Sequence, residues 1–147
     1  MIHYIIDGNN LIGKVKKIKH LQHQNSRETL ALRLDGYFQN KNCRVTLHFD
    51  GFPNTAIRTG KIRIMYSEKS TADEMIKFEI EAARNRSVIT VITSDHNLIE
   101  FSRVCRCRVM LSEKFAAEVF GRPQKNEEEE IIGKMSSSEF RRLFGEE

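Results

Sequence analysis

The sequence predicts an α/β domain with a largely parallel central sheet. Short apolar runs alternate with amphipathic segments along most of the 147-residue chain, which is the pattern of strands joined by helical crossovers. The run at residues 88–92 is predicted to be a central parallel strand, because it is apolar enough for burial on both faces. Acidic residues follow three of the apolar runs, at the strand ends where open parallel sheets bind their ligands.

The first half of the chain contains three predicted strands and one predicted helix. Residues 2–6 form a short apolar strand that enters a Gly-Asn-Asn turn, and residues 43–49 form a second strand. A helix opens at Ser26, and residues 61–66 alternate basic and apolar side chains, as in a half-exposed strand. The helix has apolar residues at helical spacing, namely Leu30, Leu34, Tyr37 and Phe38.

The second half of the chain alternates strictly between helices and strands. A helix begins at Thr71, followed by the apolar strand at residues 88–92. A helix at 95–104, a strand at 108–111 and a helix at 112–120 complete the domain. Alternation of this kind favours parallel pairing, since parallel strands need crossover connections.

One domain is predicted at residues 1–121, followed at 122–147 by an acidic linker and a short C-terminal helix. Up to Gly121 the chain has 19 basic and 13 acidic residues, an excess of +6, although the whole chain carries only +4. A basic surface around an acidic centre suits a polyanionic substrate. A basic protein that is merely soluble would show the same charge.

The composition predicts a cytoplasmic protein with no membrane partner. No apolar run approaches the roughly 20 residues that a bilayer-spanning helix needs. The N-terminus lacks a basic region followed by a long apolar stretch, so no signal peptide is evident. The three cysteines are an odd number, and we expect them to be reduced.

Four acidic segments define the candidate site. Acidic groups gathered at one sheet edge repel one another unless a cation or protons offset their charge. Because oxygen ligands suit Mg²⁺ and Mn²⁺, one of these ions is the predicted cofactor of a phosphotransfer or nuclease site. The segments are Asp7-Gly8-Asn9-Asn10, Asp50-Gly51, Thr71-Ala72-Asp73-Glu74 and Thr93-Ser94-Asp95.

Each segment also has a simple structural explanation. Asp7 and Asp50 precede glycines and fit common turn chemistry. Thr71 and Glu74 fit the capping box of a helix, and Asp73 gains from the helix dipole at that position. The fourth segment fits a plain helix start, with Ser94 or Asp95 as the N-cap. The agreement of the segments, rather than any one of them, therefore supports a site.

The predicted roles follow from the chemistry of such sites. Asp7, Asp73 and Asp95 would hold metal directly or through water, and water activated by one or two ions would attack a phosphodiester. Asn9 would orient water or phosphate, and Ser94 would hydrogen-bond a neighbouring carboxylate. Further candidates for the site are Asp50, Glu74 and Asn10. Candidate phosphate contacts are Lys14, Lys16, Lys17, Arg58, Lys61 and Arg63.

Other classes of site fit the sequence less well. The chain contains neither G-x-x-x-x-G-K-[ST] nor G-x-G-x-x-G, so the phosphate-loop and dinucleotide-binding folds lack their fingerprints. Cys105 and Cys107 have no second pair at zinc spacing. A phosphatase with a nucleophilic aspartate usually has a second aspartate two residues further on, where this chain has Asn9.

The motifs resemble the NYN family of PIN-like ribonucleases, and more closely its YacP-like branch. The likeness covers roughly residues 1–120, and the motifs come in the order of the family. The matching segments are Asp7-Gly8-Asn9-Asn10-Leu11-Ile12, Phe49-Asp50-Gly51, Tyr66-Ser67, Thr71-Ala72-Asp73-Glu74, Thr93-Ser94-Asp95 and Ser112-Glu113-Lys114-Phe115.

The resemblance implies a three-layer α/β/α PIN-like fold and an Mg²⁺- or Mn²⁺-dependent endoribonuclease. By matched position, Asp7, Asp73 and Asp95 resemble the acidic metal-site residues, with Asn9 and Ser94 as polar helpers. Members of this branch are implicated in cleaving messenger RNA on the ribosome, so the resemblance implies RNA and the ribosome as partners. The alternative function is a non-catalytic RNA- or ribosome-binding module with the same fold.

Overall fold

The structure, a computed structural model, describes residues 1–121, apart from the side chains of His23 and Gln24. Within this part of the chain five strands form one sheet in the order β3-β2-β1-β4-β5, and every pairing is parallel. The predicted linker and C-terminal helix, at 122–147, lie outside the described residues. The strands are β1 (Ile2–Asp7), β2 (Cys43–Phe49), β3 (Arg63–Tyr66), β4 (Ile89–Ile92) and β5 (Arg108–Met110).

Helices cover both faces of this sheet, which confirms the predicted three-layer α/β/α architecture. One layer contains α1 (Gly8–Ile12), α2 (Lys16–Lys19), α3 (His23–Phe38) and α6 (Ser112–Phe120). The other layer contains α4 (Ala72–Ala82) and α5 (His96–Val104). Among the helices of residues 1–121, none is long and apolar enough to cross a membrane.

The two faces of β1 pack into two separate apolar clusters. Ile6 belongs to the cluster beneath α3 and α6, where the rings of Phe38 and Phe115 stack with centroids 6.0 Å apart. Ile5 belongs to the cluster beneath α4 and α5. Each fully buried side chain of this size contributes about 1.5–3 kcal/mol to the free energy of folding. The alternating faces of one strand therefore fasten both helical layers to the sheet.

Several boundaries differ from those that the sequence predicts. The Gly-Asn-Asn turn is the short helix α1, and α3 begins at His23 rather than at Ser26. The strand predicted at 61–66 begins at Arg63, because the backbone N–H groups of Lys61 and Ile62 donate to the Asp35 carboxylate, at 2.7 and 3.0 Å. Helix α3 therefore determines where β3 begins.

The side chain of Phe78 also departs from expectation. As a large apolar residue of the helix that the sequence predicts from Thr71, Phe78 is expected to supply apolar surface to the core, but 69% of the residue is exposed. The buried face of α4 is formed by Ala72, Ile76 and Ile80, which recur every four residues. Phe78 stands two positions from both isoleucines and is therefore turned away from the sheet.

Helix α4 is also fastened to the sheet by a polar network around Glu79. The Glu79 carboxylate lies 2.7 Å from His48 Nε2 and 3.1 Å from His3 Nε2, and it accepts a hydrogen bond from Thr46 Oγ1 at 3.0 Å. Burial by itself would raise the pKa of Glu79, but the hydrogen bonds from His3 and His48 outweigh it and hold the pKa at about 2. The network therefore stabilises the ionised carboxylate.

Glu79 should make the stability of the fold depend on pH in the acid range. Because its folded pKa of about 2 lies below the ordinary 4.5, its contribution is present above pH 4.5 and is lost as the pH falls through about 2. We expect wild type to lose about 3 kcal/mol of unfolding free energy across this interval relative to Glu79→Gln. Urea denaturation across the interval measures the difference.

The matched control for this experiment is Glu81→Gln, an exposed position on the same helix. Its pH profile should parallel that of wild type. Parallel profiles for wild type and Glu79→Gln would contradict the proposed contribution of Glu79.

Candidate active site

The strand order brings three of the four acidic segments to one edge of the sheet. Strand β1 lies between β2 and β4, and parallel neighbours end at the same edge. Asp7 therefore stands between Asp50, which follows β2, and Asp95, which follows β4. The order of the sheet also reverses at β1, which is where open α/β sheets form their binding crevice. We call this region the acidic edge: Asp7, Asp50, Ser94, Asp95 and Glu113.

Asp7 is the most strongly perturbed carboxyl group of the acidic edge. Its pKa is raised from 3.8 to about 6, mainly by burial and to a smaller extent by the charges of Asp50 and Asp95. Hydrogen bonds from the Thr93 hydroxyl, at 2.9 Å, and from the Asn10 backbone N–H act in the opposite direction. The edge therefore concentrates negative charge around a carboxylate that is poorly hydrated.

Asn9 and Asn10 join β1 to its two neighbouring strands. Asn9 Oδ1 accepts a hydrogen bond from the backbone N–H of Asp50 at 2.8 Å. Asn10 Oδ1 accepts from the backbone N–H of Ser94 at 2.9 Å and from the Ser112 hydroxyl at 2.7 Å. Because the Asn9 oxygen is engaged in this way, its amide nitrogen is the atom that can still donate to water or phosphate.

Ser94 connects the end of β4 to helix α6. Its hydroxyl donates to the Glu113 carboxylate and accepts from the backbone N–H of Ser112 at 3.0 Å. The sequence predicts that Ser94 bonds a carboxylate, and in the structure this carboxylate is that of Glu113. Asp95 caps α5, because its Oδ1 accepts from the backbone N–H of Asn97 at 3.0 Å.

Glu113 is a member of the acidic edge that the sequence does not identify as a site residue. It stands in the first turn of α6, directly after β5, the neighbour of β4. The Ser94 hydrogen bond, followed by its own backbone N–H and the charge of Lys14, holds the pKa of Glu113 below its usual value. The signal that could have found it is its place after the last strand, the same rule that identifies Asp7.

The segment Thr71–Glu74 forms the start of α4 and lies next to Asp50. Asp50 Oδ1 accepts from the backbone N–H of Ala72 at 2.7 Å, which fixes the helix start against the end of β2. Thr71 is the predicted N-cap, with its hydroxyl accepting from the Glu74 backbone N–H at 3.1 Å. The Glu74 carboxylate accepts from the Ser70 hydroxyl at 2.6 Å.

Asp73 has the one carboxylate oxygen of the described residues that is buried without a hydrogen-bond partner. That atom is Oδ1, while Oδ2 lies 3.1 Å from Lys77 Nζ in an ion pair within α4. A buried acceptor without a partner costs about 1–3 kcal/mol. Such an atom in the first turn of a helix next to Asp50 is suited to binding a cation or its water.

Arg27 holds the loop that presents Asp50. The side chain is buried against the rings of Phe49 and Tyr66, with its guanidinium carbon 5.2 and 5.4 Å from their centroids. It donates to the backbone carbonyl of Asp50 and, at 2.8 Å, to that of Phe52. The buried cation of α3 therefore fixes the chain on both sides of Gly51, whose φ of +84° favours glycine.

The donors of the acidic edge fit a hard divalent ion that keeps much of its water. Carboxylate oxygens are the ligands that Mg²⁺ and Mn²⁺ prefer, and the raised pKa of Asp7 and the unpartnered Asp73 Oδ1 both favour a bound cation. Within residues 1–121, no three His, Cys, Asp or Glu side chains are arranged to hold one ion among themselves. Water would therefore complete the coordination, as Mg²⁺ commonly requires.

The predicted RNA contacts are distributed over different parts of the surface. Lys14 stands beside the acidic edge, since its charge acts on Glu113. Lys16 and Lys17 are exposed on α2, and Arg58 is exposed in the loop between β2 and β3. Lys61 instead donates to the carbonyl of Lys41 at 2.7 Å, near the opposite ends of the strands, and Arg63 begins β3.

The protein is a three-layer α/β/α domain with carboxylates gathered at one edge of its sheet. Comparison with known proteins identifies the family. A sequence model of the YacP-like NYN domain matches residues 4–143, so the chain belongs to the YacP-like NYN family. Membership of this family indicates an RNA-related nuclease. A comparison with curated proteins gave no match.

Two crystal structures are similar to this protein. One is Rae1 (YacP) from Bacillus subtilis, which is similar with a TM-score of 0.70 and 22% identity over 98% of this chain and 87% of that one. The other is a tryptophan-to-leucine mutant of the same protein, with a TM-score of 0.70 and 22% identity over 99% and 86%. At this identity the likeness establishes the fold.

Asp7 should make the metal-free protein less stable as the pH rises. Its folded pKa of about 6 exceeds the ordinary 3.8, so the native protein binds the proton more tightly than the unfolded chain does. With EDTA present, the free energy of unfolding should fall by about 3 kcal/mol between pH 4 and 6. Asp7→Asn should remove this fall and be more stable than wild type at pH 8. Denaturation profiles that run parallel for the two proteins would refute this assignment.

Arg27 should be important for the stability of the Asp50 loop. Arg27→Met removes two charge-assisted hydrogen bonds to carbonyls and two ring contacts, so we expect a loss of about 3 kcal/mol in unfolding free energy. The matched control is Arg33→Met on the same helix, where an arginine donates to the Val119 carbonyl at 2.9 Å near the surface. Urea denaturation should show a clearly smaller loss for the control, and equal losses would contradict the prediction.

Proposed function

We propose that this protein is a divalent-metal-dependent endoribonuclease whose catalytic site is the acidic edge with Asp73. The observation that supports this most directly is the environment of Asp7, a half-buried carboxyl group whose pKa is raised to about 6 beside Asp50 and Asp95. Perturbed carboxyl groups at the binding crevice of an α/β sheet are typical of functional sites. In a family of RNA-related nucleases, RNA is the substrate that this site would cleave.

Asp7, Asp73 and Asp95 would hold Mg²⁺ or Mn²⁺ directly or through water. When bound, such an ion polarises the phosphate and lowers the pKa of the attacking water. Asp73 would contribute Oδ1, because Lys77 occupies its other oxygen. Asp95 would contribute Oδ2, because its Oδ1 caps α5.

The neighbouring side chains would position these ligands and the substrate. The Asn9 amide nitrogen would donate to water or to a phosphate oxygen. Ser94 would orient the Glu113 carboxylate by a hydrogen bond. Asn10 would hold Ser94 in place by accepting a hydrogen bond from the Ser94 backbone N–H. Asp50 would shape the site more than bind metal, because its Oδ1 already fixes the start of α4. Glu74, bonded to Ser70, would remain at the margin.

Basic residues near the acidic edge would hold the RNA backbone. Lys14 is the best placed, because it lies beside Glu113, and Lys16 and Lys17 follow it on α2. Such contacts position a polynucleotide without reading its sequence. The resemblance to the YacP-like branch extends the proposal to messenger RNA as substrate and to the ribosome as the place of cleavage, in the cytoplasm.

The second candidate function is an RNA- or ribosome-binding module without catalysis. The structural explanations of Asp50 and Asp95 as helix-fixing residues favour it, since both serve the fold without a metal. The phosphatase alternative remains disfavoured, because Asn9 occupies the position of the second aspartate and uses its oxygen to hold Asp50.

The test is RNA cleavage during translation in a reconstituted system containing Mg²⁺, with the RNA ends mapped. Wild type should produce discrete cuts, and Asp7→Asn and Asp95→Asn should reduce their rate by at least about 100-fold, because metal activation is worth several kcal/mol. The matched control is Asp35→Asn, an aspartate of α3 whose carboxylate binds backbone N–H groups at Gly60, Lys61 and Ile62. It should cut like wild type once folding is verified.

Three outcomes distinguish the candidate functions. Cuts that are lost in both site variants and retained in the control support the nuclease. Absence of cuts with all proteins, together with retained RNA or ribosome binding, supports the binding module. A covalent aspartyl-phosphate on Asp7 would indicate the phosphatase.

A further inference from the structure

We propose that this protein has a second RNA-binding site, a phosphate-binding pocket at the end of the sheet opposite the acidic edge. The pocket is an open cavity of about 450 Å³. It is formed by the loop between α4 and β4 and by the loop between α5 and β5, both of which precede strands. Its lining residues are Ala83, Arg84, Asn85, Arg86, Ser87 and residues 104–106. It lies outside the proposed cleavage site and rests on the proposed function only in taking RNA as the polyanion.

Three arginines give this cavity its chemical character. Arg84, Arg86 and Arg106 line it together, and within residues 1–121 none of the three forms an ion pair with a carboxylate. A guanidinium group presents several N–H donors in a planar fork that matches phosphate geometry. Three such groups around one concave surface would favour an anion with several oxygens.

The two loops are held in shape by their own hydrogen bonds. Arg86 donates from Nε to the carbonyl of Ile80 and from a terminal nitrogen to the carbonyl of Glu81, each at 3.2 Å. Asn85 Oδ1 accepts from the backbone N–H of Ser87 at 3.1 Å and from its hydroxyl at 2.6 Å. These bonds fix the backbone on either side of Arg84, so less conformational entropy is lost when a ligand binds.

The second loop presents Arg106 in an unusual backbone conformation. Its φ is +69°, in the left-handed region that residues other than glycine rarely adopt. The backbone N–H of Arg106 donates to the carbonyl of Arg103, and that of Cys107 donates to the carbonyl of Ser102, each at 2.9 Å. This tight turn fixes the backbone of Arg106, which lines the cavity.

The lining favours an RNA backbone over an acidic peptide. A peptide would need pockets for its side chains, and the apolar lining is limited to Ala83, Val104 and Cys105. No aromatic ring lines the cavity, so base stacking would contribute nothing there. Phosphate contacts alone would bind RNA without regard to sequence.

The position of the pocket determines what length of RNA can use it. The six residues of β1 span about 20 Å at roughly 3.3 Å per residue, so the two ends of the sheet are separated by about that distance. An RNA held at the acidic edge would have to continue along the surface to reach the arginines. The pocket should therefore strengthen the binding of long RNA and leave the binding of short RNA unchanged.

The experiment measures the affinity of the whole protein for RNA over a series of salt concentrations, with EDTA present so that no cleavage occurs. Single-stranded RNAs of about 30 and about four nucleotides are compared. The variant is the double substitution Arg84→Gln and Arg106→Gln. The matched control is Arg33→Gln with Lys41→Gln, which removes the same charge from α3 and from the turn before β2.

For the long RNA we expect the double variant to raise Kd about 10-fold and to lower the slope of log K against log salt by about 1–2, one for each lost phosphate contact. The short RNA should bind both variants like wild type. The control should retain most of the affinity and the slope for long RNA.

Three results would overturn the proposal. They are an unchanged slope in the double variant, an equal loss in the control, and displacement of long RNA from the arginines by polyglutamate at lower concentration than by unlabelled RNA. Because binding is measured without divalent ions, failure of the cleavage proposal would leave these results unchanged, and the two ideas are tested separately.

Discussion

The close packing of α1 on β2 at Gly8 is the constraint on which the candidate site depends. A Cβ at this position would lie 2.6 Å from the carbonyl oxygen of His48 and 2.7 Å from the ring of Phe49, closer than such atoms can approach. With glycine there, α1 turns directly over the end of β2. Asn9 then reaches the backbone of Asp50 and Asn10 reaches that of Ser94, so one residue without a side chain allows three strand ends to be joined.

The acidic edge destabilises the fold locally, and other contacts offset the cost. The pKa of Asp7 is raised by burial and by neighbouring carboxylates, whereas the pKa of Glu79 is lowered by hydrogen bonds from two histidines. Both carboxylates lie on or against the central strands of the same sheet. The negative charge of Asp7 is poorly compensated, whereas that of Glu79 is compensated by its hydrogen bonds. This contrast distinguishes a carboxylate suited to binding a cation from one that attaches a helix to the sheet.

Much of the fold follows from the sequence, because it depends on local periodicity and on the rule that parallel strands end at one edge. That rule is sufficient to predict that Asp7, Asp50 and Asp95 lie together. Arg27 could not be recognised in this way, and for Glu113 the rule gives the place at the edge but not the contact with Ser94. The first acts from α3 on a loop 23 residues later in the chain, and the second depends on a Ser94 hydroxyl 19 residues earlier. Contacts between elements that packing alone brings together leave no periodic signal.

The hydrogen bonds also distinguish aspartates of the candidate site that the sequence alone does not distinguish. Asp50 and Asp95 each use one oxygen to fix the start of a helix, so their conformations are set by the fold whether or not a cation is present. Asp73 has a buried oxygen without a partner, and the ionised form of Asp7 is disfavoured by burial, which raises its pKa to about 6. A cation would offset the unfavourable burial of negative charge at Asp73 and Asp7. It would change the conformations of Asp50 and Asp95 little. In the proposed site the energetic demand for a cation would therefore concentrate on Asp7 and Asp73, Asp95 would supply a preorganised oxygen, and Asp50 would shape the site.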